Sequence, residues 1–108
     1  MGERDRLEVD LDTFAAALDA GAPVVDVRRP DEFVEAHVPG ARLIPLEELG
    51  ERLHEIPRDQ RVYVICAVGG RSLAAAEALA SAGWDAVSVA GGTIRWAEEG
   101  RPVLTGLR

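Results

Sequence analysis

Short runs of β-branched residues alternate along the chain with stretches whose apolar residues recur at helical spacing. That alternation predicts an α/β domain with a mainly parallel sheet. Five strands are legible: Leu7 to Val9, Pro23 to Val27, Arg42 to Ile44, Val62 to Ile65 and Ala86 to Val89. Asp10 is placed to cap a first helix with Leu11, Phe14, Ala15 and Leu18 on one face and Gly21 closing it. Pro30 opens a short helix whose first turn carries Asp31 and Glu32, where the helix dipole favours carboxylates. Leu46, Leu49 and Leu53 mark another amphipathic helix. An alanine-rich helix is expected from about Ser72 to Ala82, and a last one from Thr93 to Glu99, stopped by Gly100 and Pro102.

No Ser-rich, Pro-rich or low-complexity stretch divides the 108 residues, so one core is expected. The expected layout is an N-terminal extension over residues 1–6, a domain over 7–104 and a short tail over 105–108. Met1 to Arg6 is charged and lacks the apolar segment of a secretory signal, and the apolar runs are too short to cross a bilayer. A soluble, cytoplasmic protein is the expectation. Nineteen acidic residues against twelve basic ones, all twelve arginine, give a formal charge of −7. Such a charge repels nucleic acid and anionic membranes.

Cys66 is the sole cysteine, so the chain forms no internal disulfide and carries a free thiol. It stands where the clearest strand runs into Cys66-Ala67-Val68-Gly69-Gly70-Arg71-Ser72 and then into a helix. In open α/β sheets, ligands bind at the carboxyl ends of strands. Gly69 and Gly70 can both take φ angles closed to other residues, which lets successive amides turn inward as an anion-binding nest. Those amides, the helix dipole and the Arg71 guanidinium are expected to favour a thiolate at Cys66. The same cradle, built from Ala67, Val68, Gly69, Gly70 and Ser72, would hold the outer sulfur of a persulfide. Free cysteines are also often inert core filler, which is the competing reading. Neither metal nor organic cofactor is expected.

The loop resembles that of the rhodanese homology family: Cys, two variable residues, Gly, one variable residue, Arg, often Ser. Val24-Val25-Asp26-Val27-Arg28 with Asp31-Glu32-Phe33 and His37-Val38-Pro39-Gly40-Ala41 is similar to the family's N-terminal signature. Gly91-Gly92-Thr93-Ile94-Arg95-Trp96 with Gly100, Pro102 and Val103 is similar to its C-terminal one. The resemblance implies a five-stranded parallel sheet with helices on both faces. It implies sulfur transfer through a Cys66 persulfide, from a donor such as thiosulfate to cyanide or a thiol, with a protein persulfide partner as a further possibility. Cys66 to Arg71 is six residues, the sulfurtransferase length, whereas the related phosphatases and arsenate reductases have one more. Two departures stand out. Val68, where relatives often have a hydroxyl or charged residue, offers no side-chain hydrogen bond, which predicts that thiosulfate is a poor donor; Ala36 replaces a frequent glycine before His37. A persulfide carrier or docking module with little turnover is the alternative function.

Arg71 has three readings: a solvated arginine, an ion-pair partner of Asp26, or a brace for the loop that also presents positive charge to an anionic donor. Asp26 and Arg28 read mainly as structural support. His37 sits in a turn motif and reads as structural, and His54 as solvated. Phe14, Phe33, Trp84 and Trp96 read as core, and Glu47, Glu48, Glu51 and Glu55 as the wet face of one helix.

Overall fold

The computed structural model describes residues 7–107, so the expected extension over 1–6 and the terminal Arg108 lie outside the described residues. Its strands are β1 (Glu8–Val9), β2 (Val24–Asp26), β3 (Arg42–Leu43), β4 (Val62–Ile65) and β5 (Ala86–Val89). They form one sheet in the order β1-β5-β4-β2-β3, with every pair parallel. The α-helices are α1 (Leu11–Asp19), α2 (Pro30–Glu35), α3 (Gly70–Ser81) and α4 (Gly92–Glu98).

Because side chains alternate across a strand, β4 feeds two cores. Val62, Val64 and then Cys66 face one layer with Ala75, Ala76 and Leu79 of α3 and with Leu49 and Ile56. Tyr63 and Ile65 face the other, with Leu11 and Phe14 of α1 and Trp96 of α4. All four residues of β4 are buried, as expected for a central parallel strand covered on both sides. The four expected core aromatics are buried; Phe14 packs edge-on against Trp96 at 5.3 Å between ring centroids.

One predicted element differs in kind. Leu46, Leu49 and Leu53 lie not on one α-helix but on two 3-10 segments, Leu46–Glu51 and Leu53–Glu55. Leucines three apart stack on one edge of a 3-10 turn, and a segment confined between Pro45 and Pro57 is short enough for that tighter form. The acidic face is only partly free: Arg52 takes Glu48 at 3.0 Å and Glu55 at 2.7 Å. The remaining strands and helices sit within two residues of their expected bounds. Past the sheet, His37 and Leu104 pair as an antiparallel bridge and the Gly106 amide donates to the Val34 carbonyl at 2.8 Å, which ties the tail to α2.

Candidate active site

Cys66 follows the carboxyl end of β4, and its residue is 1% exposed. Its Sγ receives the Gly69 amide at 3.1 Å and the Ser72 amide at 3.3 Å. The thiol bonds the Ser72 hydroxyl at 3.3 Å. Burial pushes the Cys66 thiol up, but the Ser72 hydroxyl and the amides of Ser72, Gly69 and Val68 together outweigh it and leave the thiol more acidic than usual.

The backbone that aims those amides depends on one loop glycine rather than two. Gly69, the N-cap of α3, has φ +118°. Gly70 has no positive φ and is the first residue of the helix, which corrects the expectation that both glycines supply unusual angles. The loop's carbonyls are drawn the other way: Thr93 donates its amide to the Cys66 carbonyl at 2.9 Å and Ile94 to the Ala67 carbonyl at 3.0 Å. The first turn of α4 therefore holds the loop, leaving the Gly69 and Ser72 amides for the sulfur. Gly92 permits the approach, since its φ is +60° and a Cβ there would come 2.7 Å from the Cys66 carbonyl oxygen.

Next to the sulfur lies a buried hydroxyl pair of which sequence reading singled out Ser72 but not Ser88. Ser72 Oγ lies 2.8 Å from Ser88 Oγ and 3.1 Å from the Gly69 carbonyl, and both serines are fully buried. Ser72 has one hydroxyl proton for three neighbours. When Cys66 is a thiol, its S–H donates to Ser72 and Ser72 can donate to Gly69. When Cys66 ionises, the Ser72 proton is needed at sulfur, and Ser88 can then donate to the Ser72 oxygen.

Arg71 does not pair with Asp26. It grips Glu32 of α2 with both terminal nitrogens, at 2.8 and 2.9 Å. Asp26 is taken by its near neighbour: Arg28 donates to it at 2.9 and 3.0 Å, and to the Ala36 carbonyl at 2.8 Å. A partner two residues away in the chain outcompetes a distant one, and Asp26–Arg28 thereby ties β2 to the C-cap of α2 at Ala36. Glu32 also accepts the Arg29 amide at 3.0 Å, so one carboxylate finishes the helix start and fixes the loop arginine. Arg71 and then the Arg29 amide hold the Glu32 carboxyl down at about 2 against the cost of partial burial. Val68 points outward and is 66% exposed. His37 is buried, stacked on Phe33 with its Nδ1 2.9 Å from the Phe33 carbonyl, and His54 is exposed.

The family model for the Rhodanese-like domain matches residues 10–99. The chain belongs to the rhodanese-like domain family. As a rhodanese-like domain it is 33% identical over 100 residues to a protein named sulfurtransferase from Allochromatium vinosum, covering 90% of this chain and 94% of that one. It is 40% identical over 90 residues to the probable adenylyltransferase/sulfurtransferase MoeZ of Mycobacterium tuberculosis. That match takes in 79% of this chain but 23% of MoeZ, so the rhodanese-like domain spans about a quarter of that relative. A solved rhodanese-related protein from Thermoplasma volcanium superposes with a TM-score of 0.84 at 37% identity, covering 94% of this chain and 98% of the other.

Proposed function

We propose that this rhodanese-like domain is a sulfurtransferase that carries sulfane sulfur as a persulfide on Cys66. The observation that carries the reading is the convergence of the Gly69 and Ser72 amides on one sulfur atom. Donors of that kind stabilise a thiolate before attack and an outer persulfide anion after it. The Cys66 thiolate attacks the sulfane sulfur of thiosulfate, the Sγ–S bond forms, the donor S–S bond breaks, and sulfite leaves with the electron pair. A cyanide or thiolate acceptor then attacks the outer sulfur, and Cys66 returns as thiolate. No electron is gained or lost overall, so the two half-reactions need no redox partner.

Support comes from the family membership and from relatives whose names include sulfurtransferase. Steady-state rates with thiosulfate and cyanide test it. Parallel double-reciprocal lines, lost in Cys66→Ala, are the expected outcome; intersecting lines would contradict a persulfide intermediate.

A carrier with little intrinsic turnover is the second reading, favoured by the outward, apolar Val68 at the loop's third position. Loading by a protein persulfide but not by thiosulfate would select it.

A further inference from the structure

We propose that Glu32 is a specificity-determining residue: by engaging Arg71 it removes free positive charge from the loop and directs sulfur intake to donors bearing at most one negative charge. The inference rests on the sulfurtransferase reading and narrows the donor.

The arginines of the Cys66 loop and of the β2–α2 segment are each held by a carboxylate, and Arg95 of α4, whose start holds the loop, has Glu98 at 3.9 Å. Arg71 takes Glu32 through two bonds at 2.8 and 2.9 Å. Arg28 takes Asp26 at 2.9 Å, and Arg29 takes Asp31 at 3.3 Å. The three guanidinium groups and three carboxylates cancel. What remains to hold an anion is the field of neutral peptide amides, which suits one charge far better than two. Glu32 is not free to swing aside, because the Arg29 amide fixes it from the start of α2 at 3.0 Å.

The rim points the same way. Val68 is 66% exposed, and Ile94, whose amide bonds the neighbouring Ala67 carbonyl, is 48% exposed. These two exposed aliphatic side chains, one on the loop and one bonded to it through its amide, offer nothing to replace the water around a doubly charged sulfonate. The chain's formal charge of −7 adds long-range repulsion. An alkyl persulfide meets none of these obstacles to the same degree. The Cys66 thiolate attacks its outer sulfur, the Sγ–S bond forms, the donor S–S bond breaks, and the alkyl thiolate leaves with the electron pair and takes a proton from the outer sulfur or water. The products are the Cys66 persulfide and a free thiol.

The test compares loading rates of Cys66 by thiosulfate and by 2-hydroxyethyl persulfide in wild type, Glu32→Gln and Glu32→Asp. Glu32→Gln leaves Arg71 uncompensated, so the thiosulfate-to-persulfide ratio of kcat/KM rises roughly fivefold, the gain lying in the thiosulfate KM. Added salt erodes that gain, and Glu32→Asp restores the ratio toward wild type. An unmoved ratio, or an equal change in Gln and Asp variants, would overturn the proposal while leaving the sulfurtransferase reading intact. Sulfur transfer from neither donor to wild-type Cys66 would remove that reading as well. The wild type alone supplies a second measurement that needs no variant to fold: with Arg71 engaged, added salt only screens the chain's net negative charge, so thiosulfate KM falls with ionic strength, and a rise would show a free cation and contradict the assignment.

Discussion

Thr93 donates its backbone amide to the carbonyl of Cys66 at 2.9 Å, so the helix after β5 fixes the loop after β4. Cys66 is thus positioned by a segment more than twenty residues further along the chain, at the start of α4. Its amide-lined cradle is a product of two helix starts: α3 supplies donors to the sulfur, and α4 removes the competing carbonyls.

Gly92→Ala tests that arrangement. A methyl group there would lie 2.7 Å from the Cys66 carbonyl oxygen, at a φ of +60° that already disfavours it. The variant is expected to lose about 2 kcal/mol or more of stability. Thermal unfolding checks it, and an unchanged Tm would show that the helix start can retreat without cost.

The two loop glycines should respond oppositely. Gly69→Ala forces a Cβ into φ +118° and is expected to cost about 1–3 kcal/mol. Gly70→Ala has open space and helical geometry, and should be neutral or stabilising by about 0.5 kcal/mol. Denaturant unfolding of both variants separates them.

Ser88→Ala should make the Cys66 thiol less acidic. Without the Ser88 hydroxyl, 2.8 Å from Ser72, the Ser72 oxygen has lost the donor that supports it when its own proton turns to sulfur. Iodoacetamide alkylation at neutral pH is expected to slow roughly threefold to tenfold, the range of one ordinary hydrogen bond. Ser88→Thr, which keeps the hydroxyl, should recover most of the rate, and equal rates in all three proteins would remove Ser88 from the account.

Acid should loosen α2 from the loop at a definite point. The Glu32 carboxyl is held at about 2, below the ordinary carboxylate value of 4.5, so its contribution is fully present above that ordinary value. It is lost as pH falls toward about 2, when the folded protein too takes up the proton. Glu32→Gln should flatten that part of the stability profile, as measured by unfolding in urea between neutral and acid pH.

Much of this was legible in the residues. Short apolar runs between turn residues located all five strands, and a cysteine between a strand and a Gly-Gly-Arg helix start marked the loop whose amides meet its sulfur, because both signals are local. Glu32 was read only as a carboxylate in a helix's first turn, and its grip on Arg71, thirty-nine positions away, needed the fold to become visible. The Asp26–Arg71 pairing failed for the same reason, since nothing in sequence says which of two carboxylates wins. Ser88 left a usable signal: it is the one polar residue in the buried strand Ala86–Val89, on the same face as Ala86. The 3-10 segments kept their apolar spacing, which is common to both helix types over so few turns.

Intact-mass measurement of the protein after exposure to thiosulfate or an alkyl persulfide, before any acceptor is added, tests the central assignment most directly. The account predicts a gain of one sulfur atom, absent in Cys66→Ala and removed by cyanide. A wild-type mass that stays unchanged with every donor, or a gain that persists in Cys66→Ala, would contradict it.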